Sequence, residues 1–276
     1  MDRYAELFDR LAGEGAFGAF FILGYPNLKA SAEILDALVD GGADMIEVGI
    51  PFSDPVADGP VIQAAAVQAL RQGVTPSDCF ALLQAFRQRH PNVPVGILTY
   101  ANLVVARGLN AFYADAAHAG VDSVLIADVP LFEVEPFAAA ALDNGTAPVL
   151  IAAPNTPDRT LERIAAVSKG YTYCVSRSGV TGADEQVQFS HSKLFEKLRS
   201  FGAPPPVLGF GISKPEHVRA GIEAGAAGVI SGSAIVRLAE SETEAPTRIA
   251  DFVRQMKAAT RYGCDMENSA PSVFIA

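Results

Sequence analysis

Short apolar runs alternate with longer segments of helical period along nearly the whole chain. The runs are rich in Val, Ile and Leu, which is typical of strands that are buried on both faces of a sheet. Eight runs predict strands, namely Phe17–Leu23, Met45–Ile50, Val95–Thr99, Ser123–Ala127, Val149–Ala152, Tyr171–Ser176, Val207–Phe210 and Gly228–Ser231.

The segments between these runs place apolar residues at the spacing of amphipathic helices. Strands that are separated by helices pair in parallel, and their connections are right-handed. The predicted helices are the N-terminal stretch MDRYAELFDRLAGEG, Ala30–Asp40, Val61–Gln72, Ser77–Arg89, Ala111–Ala119, Glu133–Asn144, Asp158–Ser168, Ser192–Ser200, Pro215–Ala224 and Thr247–Thr260.

A faint internal repeat favours a closed barrel over an open sheet. The segments that begin at Gly41, Ala119 and Ala224 share one order of features: the end of a helix, a glycine turn, a small residue and an apolar strand. Eight such units predict an α/β fold, a single-domain (β/α)8 TIM barrel with an extra N-terminal helix, over residues 1–260. The alternative is an open doubly wound sheet, but the chain lacks an early glycine-rich dinucleotide fingerprint. Residues 261–276 are expected to form a C-terminal tail, for which disorder is one alternative.

The stretch Asp44–Pro60 carries the first candidate chemistry. Glu47 interrupts the apolar run from Met45 to Ile50, and a following loop rich in Pro and Gly carries Asp54 and Asp58. A charge inside such a strand is unfavourable unless it is paired or protonated. In a barrel the active site lies at the C-terminal ends of the strands, so these acids predict a site at that face.

Glycine-rich loops at the same face predict a phosphate site. GFGIS follows the seventh strand, SGSAIV the eighth and SRSGVTG the sixth. Barrels commonly bind phosphate with the loops after strands seven and eight, where glycine lets backbone amides approach the anion. The expected donors are Gly182, Gly211, Gly232 and Ser233, and the alternative is that these glycines only make tight turns.

Composition narrows the classes of function. The chain has 276 residues and a net charge of −10, which argues against a general binder of nucleic acid or anionic membranes. Its three cysteines are far apart and odd in number, which favours a reducing cytoplasm and neither disulfides nor a metal cluster. The N-terminus lacks the apolar core of a signal peptide, and no run reaches membrane-spanning length. A cytoplasmic location is therefore predicted.

With these residues in view, the sequence closely resembles the alpha subunit of tryptophan synthase. The resemblance runs from the N-terminal helix to the last helix, and the combination of PFSDPVADGP with SRSGVTGA is its most specific part. The matching stretches are IEVGIPFSDPVADGP (Ile46–Pro60), GILTYANL (Gly96–Leu103), GVDSVLIADVP (Gly120–Pro130), GYTYCVSRSGVTGA (Gly170–Ala183), GFGIS (Gly209–Ser213) and AGAAGVISGSAIV (Ala224–Val236).

The resemblance implies a carbon–carbon lyase that splits indole-3-glycerol phosphate into indole and glyceraldehyde 3-phosphate by a retro-aldol reaction. It implies neither a metal nor a Schiff base in this chain. The indole would pass to a beta subunit that carries pyridoxal phosphate, within an alpha2-beta2 heterotetramer, for the synthesis of L-tryptophan. In this family the Asp54 loop and the segment Tyr100–Leu103 help to face that subunit.

The family's functional residues fall on matching positions of this sequence. Its catalytic residues fall on Glu47 as acid and base, on Asp58 as partner of the indole N–H, and on the assisting Tyr173. Asp58 is expected to stay ionised on a more solvated loop, and the alternative for Tyr173 is a packed wall residue. Residues 176–188 predict a closing lid, in which Thr181 is a hypothetical partner of Asp58. The expected indole pocket is Phe20, Leu98, Tyr100 and Phe210, and the phosphate contacts are Gly182, Gly211, Gly232 and Ser233.

Two alternative functions remain open. The same residues would serve a standalone lyase that releases free indole, and only activity without a beta subunit separates the two. A non-catalytic module that controls a beta subunit by allostery would not need Glu47 or Asp58. The sequence departs from the family at Gly24-Tyr25-Pro26, where an aspartate is common, and at Thr99.

Overall fold

The computed structural model describes residues 2–11, 13–175, 191–240 and 244–261. Nine parallel strand segments in this part of the chain form a single sheet. They are β1 (Ala16–Ile22), β2 (Met45–Gly49), β3 (Val95–Thr99), β4 (Ser123–Ile126), β5 (Ala147–Val149), β6 (Ile151–Ala152), β7 (Thr172–Val175), β8 (Pro206–Gly209) and β9 (Gly228–Ser231).

The sheet closes on itself through one interrupted strand. β5 and β6 are separated by Leu150 alone; β5 pairs with β4, and β6 pairs with β7. The last segment, β9, pairs with β1. The two short segments thus occupy the place of one strand, and the eight-stranded parallel barrel predicted from the sequence is confirmed.

The helices surround this barrel and follow the strands in order. Their ends carry local signals: Asn27 caps one N-terminus with its side chain, and Thr75 and Asp78 form a capping box. The described helices are α1 (Arg3–Arg10), α2 (Leu28–Asp40), α3 (Pro60–Arg71), α4 (Pro76–Arg89), α5 (Ala101–Arg107), α6 (Leu109–His118), α7 (Glu135–Asp143), α8 (Asp158–Val167), α9 (Ser192–Ser200), α10 (Pro215–Glu223), α11 (Ser233–Leu238) and α12 (Ala245–Ala258), with short 3-10 turns at Leu131–Glu133 and Ala259–Arg261.

The helix α1 packs at the N-terminal end of the barrel. Its Tyr4 and Leu7 are buried in the core. Directly before β4, the Asp122 carboxylate accepts hydrogen bonds from Arg3 and Arg87, each at 2.7 Å, and from the backbone N–H of Val95 at 2.8 Å. A partly buried carboxylate with this many donors is well compensated, so the cluster fixes α1 and α4 to the base of the barrel.

The register of the strands places four residues side by side in the barrel. Phe20 on β1 is opposite Glu47 on β2, Glu47 is opposite Gly96 on β3, and Gly96 is opposite Ser123 on β4. Neighbours in a parallel sheet point to the same face. Among the helices of the described ranges, none combines the length and the apolar character needed to cross a membrane.

Candidate active site

Glu47 lies inside the barrel with only 1% of its surface exposed. The Tyr171 hydroxyl donates a hydrogen bond of 2.7 Å to its Oε1, while Oε2 has no partner among the described residues. Burial raises the pKa of Glu47 to about 7, and the nearby charge of Asp58 acts in the same direction. The bond from Tyr171 opposes this shift, because it stabilises the ionised carboxylate. Glu47 can therefore gain or lose a proton close to neutral pH.

Asp58 lies at the end of the loop after β2, just before α3. The Tyr100 hydroxyl donates to its Oδ2 at 2.8 Å and accepts the backbone N–H of Ala57 at 3.3 Å. The ring of Phe52 stacks on Tyr100 with centroids 5.2 Å apart. Asp58 is less solvated than the sequence suggested, with 9% of its surface exposed, and burial raises its pKa. The Tyr100 hydrogen bond counteracts that rise and favours the ionised carboxylate.

Tyr173 lies on β7 within electrostatic range of both acids. Burial raises its pKa well above the usual value, and the charges of Glu47 and Asp58 raise it further. Its ring crosses Gly209, where an added Cβ would lie 2.0 Å from the Tyr173 hydroxyl oxygen. Glu47 accepts its hydrogen bond from Tyr171, and not from the predicted assistant Tyr173.

An apolar wall surrounds the two carboxyl groups. Phe210 meets Tyr173 edge to face at 5.9 Å between centroids, and Leu98 is opposite Gly49 in the strand register. Gly49 and Gly232 both make room for the ring of Phe20, since an added Cβ would lie 3.1 and 3.0 Å from its atoms. The wall has the flat aromatic lining that suits an indole ring.

The glycine loops after β8 and β9 lie next to each other. The Ser231 hydroxyl donates a 2.6 Å hydrogen bond to the carbonyl of Ile212 and thereby joins the two loops. Phe210 and Gly211 both have positive φ, at 67° and 77°, and Gly232 directly precedes α11 at Ser233. Gly211 and Ser233 are exposed, so backbone amides in these loops are accessible to an anion.

The sequence-predicted site residues are thus brought together wherever the structure describes them. Thr181 and Gly182, with the predicted lid at residues 176–188, lie outside the described residues.

A family model described as tryptophan synthase alpha chain matches residues 8–262. The chain belongs to this family. A tryptophan synthase alpha chain from Serratia proteamaculans is 54% identical over 95% of this chain and all of its own length. An Escherichia coli alpha chain is 51% identical with the same coverage.

Solved structures agree with this assignment. A chain of a tryptophan synthase complex from Pyrococcus furiosus has 34% identity and a TM-score of 0.81, with 89% of this chain and 98% of that chain covered. A chain of Mycobacterium tuberculosis tryptophan synthase has 31% identity and a TM-score of 0.85, with 95% and 99% covered. This chain is therefore an alpha chain of an enzyme, with the barrel fold of its relatives.

Three polar residues beside Glu47 were not predicted from the sequence. They are Tyr171, which bonds Glu47 directly, and Tyr4 and Ser123, whose hydroxyl oxygens are 2.7 Å apart. A signal was available for Tyr171, because residues 171 and 173 share one face of a strand. Tyr4 gave none, since an aromatic residue on an amphipathic helix is usually part of a core.

Proposed function

We propose that this chain cleaves indole-3-glycerol phosphate into indole and glyceraldehyde 3-phosphate, as the alpha subunit of a tryptophan synthase. The observation that carries the proposal is Glu47, a carboxyl group inside the barrel whose pKa is raised to about 7. It lies beside a second carboxyl group, an aromatic wall and two open glycine loops. The family of the chain supports the choice of substrate.

Glu47 would act as both acid and base in the retro-aldol step. Its protonated form gives a proton to C3 of the indole ring, and the ring becomes a leaving group. The resulting carboxylate takes the proton of the hydroxyl on the adjacent side-chain carbon, while the carbon–carbon bond breaks. The electrons of that bond return to the indole, the carbon becomes an aldehyde, and Glu47 ends protonated. A group with a pKa near 7 suits both transfers.

Asp58 would accept the indole N–H and stabilise the positive charge that develops on the protonated ring. The hydrogen bond from Tyr100 keeps its carboxylate in one orientation and favours its charged form. Tyr173 would contact the substrate hydroxyls from the opposite wall. The apolar residues Phe20, Leu98 and Phe210 would hold the ring between the two acids.

The loops after β8 and β9 would bind the phosphate through the amides of Gly211, Gly232 and Ser233. With a net charge of −10, the chain offers no general attraction for an anion, so these local donors carry the recognition. Thr181 and Gly182 remain proposed contacts of the lid and the phosphate.

A beta subunit would dock on the C-terminal face of the barrel. A Pyrococcus furiosus relative is described as part of an a2b2 complex, which supports the same assembly here. Val56 in the Asp54 loop exposes 70% of its surface, and Val105 in α5 exposes 54%. Apolar side chains exposed beside an active site are suited to an interface. In that assembly the chain would act in the cytoplasm.

The test is indole release by the purified chain, alone and with a tryptophan synthase beta subunit. Slow release that increases strongly with the beta subunit is the expected result. Glu47→Gln should lower kcat by about 100-fold or more, because one group would lose both proton transfers. Asp58→Asn should lower it by about 10- to 1,000-fold. The exposed Glu162→Gln on α8 is the control and should leave kcat unchanged.

Other outcomes would favour the other functions. Rapid release that the beta subunit does not change would indicate a standalone lyase. If Glu47→Gln still activates a beta subunit and wild type releases no indole, the chain would be a non-catalytic allosteric module.

A further inference from the structure

Three hydroxyl groups converge beside Glu47 on the side of the barrel's N-terminal end. An added Cβ on Gly96 would lie 2.7 Å from Ser123 Oγ, 3.2 Å from the Tyr4 hydroxyl and 3.5 Å from the Tyr171 hydroxyl. Gly96 is opposite both Glu47 and Ser123 in the register, so the hydroxyls and the carboxyl group share one layer. The missing side chain of Gly96 is what leaves room for them.

The hydrogen bonds divide this cluster into two pairs. Tyr171 donates to Glu47 at 2.7 Å, and Tyr4 is 2.7 Å from Ser123. The rings of Tyr4 and Tyr171 are in contact, with centroids 5.2 Å apart. All four residues are at most 2% exposed, so water does not replace a lost partner. Because Tyr4 and Ser123 are hydrogen-bonded to each other, neither hydroxyl competes with Glu47 for the proton of Tyr171.

We propose that Tyr4 is a positioning residue for Glu47: by pairing with Ser123 it leaves the Tyr171 hydroxyl free to donate to the Glu47 carboxyl group. The ion cluster of Arg3 and Asp122, which directly precede Tyr4 and Ser123, holds this pair in place. The N-terminal helix α1 thus takes part in setting the protonation of the acid–base group. The inference rests on the proposed function of Glu47, but its first test does not require activity.

Removal of the Tyr4 hydroxyl should act on Glu47 through Ser123. In Tyr4→Phe, Ser123 is left buried without its partner, and Tyr171 is the neighbouring hydroxyl that can replace it. The Tyr171 hydroxyl has a single proton, so when Ser123 Oγ accepts from it, Tyr171 donates less to Glu47 and the ionised carboxylate loses stabilisation. The pKa of Glu47 should therefore rise in Tyr4→Phe, and it should rise in Tyr171→Phe, where the donor is absent.

Removal of both hydroxyl groups of the Tyr4–Ser123 pair should restore the pKa of Glu47. In the double variant Tyr4→Phe/Ser123→Ala, neither hydroxyl of the pair remains to compete for Tyr171. The pKa of Glu47 should return towards the wild-type value, although a second polar contact has been lost. A purely structural role of Tyr4 predicts no shift of the Glu47 pKa in Tyr4→Phe, because phenylalanine keeps the ring that packs against Tyr171.

The other ionisable groups that face this cluster are unchanged in these variants. Asp58 and Tyr173 flank Glu47 on the side of the active site, and Arg87 and Asp122 act on Tyr4 from the base of the barrel. None of them is removed, so a shift reports on the hydroxyl groups.

The experiment is a carbon-13 NMR titration of the full chain with labelled glutamate carboxyl groups, in which Glu47→Gln assigns the signal. We expect the Glu47 midpoint to rise by about 0.5 to 1 pH unit in Tyr4→Phe and to return in the double variant. Tyr113→Phe, at a buried tyrosine of α6, is the matched control and should not move it. Equal midpoints in Tyr4→Phe and wild type, or a further shift in the double variant, would overturn the inference.

The pH profile of kcat/KM for indole-3-glycerol phosphate is the second measurement. The limb of this pH profile that reflects the titration of Glu47 should shift by the same amount as the NMR midpoint in each variant. If wild type does not cleave this substrate while the NMR shifts occur, the proposed function fails and the hydroxyl coupling stands. If wild type cleaves it and neither readout moves, the coupling fails and the proposed function stands.

Discussion

The raised pKa of Glu47 has a consequence for stability that can be measured without substrate. An acid whose pKa is higher in the folded state than in the unfolded chain holds its proton more tightly when folded. The unfolded chain then loses its proton near the ordinary pKa of 4.5, whereas the folded chain keeps it up to about pH 7. Stability from this group is fully present at low pH and decreases as the pH rises through that interval.

The size of the effect follows from the two pKa values. A difference between 4.5 and about 7 corresponds to about 3 kcal/mol above pH 7. Glu47→Gln removes the charge and keeps an oxygen that can accept from Tyr171. Its new NH2 group would replace Oε2, which has no described partner, so burying it costs about 1 kcal/mol or more at every pH. The variant should be close to wild type or slightly less stable at pH 5, and about 2 kcal/mol more stable at pH 8.

The assay is urea unfolding followed by circular dichroism at pH 5 and pH 8. The quantity of interest is the difference in free energy of unfolding between Glu47→Gln and wild type at each pH. Glu162→Gln on the exposed face of α8 is the control, and its difference should be the same at both values. A Glu47→Gln difference that does not change with pH would refute the reasoning, because it would mean that Glu47 has an ordinary pKa.

Three further changes test other parts of the site and the core. Tyr100→Phe removes the donor to Asp58, so the pKa of Asp58 should rise and kcat should fall about 10-fold, seen in the pH profile of indole release. Gly211→Ala places a side chain at φ 77°, which costs about 1 to 2 kcal/mol, so it should lower the melting temperature by a few degrees and raise KM about 10-fold; an unchanged KM would exclude this loop from phosphate binding. Thr99→Val replaces a buried hydroxyl that has no partner in the described ranges and should raise the free energy of unfolding by about 1 kcal/mol; a loss would reveal a partner.

The barrel was predictable because its pattern repeats eight times and each repeat is local. The strands Val95–Thr99 and Gly228–Ser231 have the predicted bounds, and most others differ by one residue at an end. The fifth begins two residues before its predicted start, at Ala147. The break of one strand at Leu150 was not visible, since it depends on which neighbour each half meets across the barrel. The short helices α5 and α11 were also missed, because one or two turns show too little periodicity.

The members of the candidate site could be proposed from the sequence, but their contacts could not. Glu47 stood out as an acid inside an apolar run, and Asp58 as an acid in the loop that follows it. The structure places Glu47 opposite Phe20 in the strand register and joins Asp58 to Tyr100 by a hydrogen bond. The sequence could not show whether Tyr171 or Tyr173 is the hydrogen-bond partner of Glu47. Both residues lie on the same face of one strand, and their distances to Glu47 depend on the folded barrel. The burial of Asp58 was missed for the same reason: the stacked rings of Phe52 and Tyr100 cover a loop that looks polar in sequence.

The two ends of the barrel contribute differently to the stability of the fold. At the C-terminal end the chain tolerates a carboxyl group with a shifted pKa and the positive φ of Phe210, both of which are unfavourable for folding. At the N-terminal end the Asp122 carboxylate has three donors and stabilises the packing of α1. Because α1 also carries Tyr4 into the layer of Glu47, the stable end is not independent of the reactive end. Changes at the base of this barrel, such as loss of the Arg3–Asp122 ion pair, should therefore alter the protonation of the site as well as the stability of the fold.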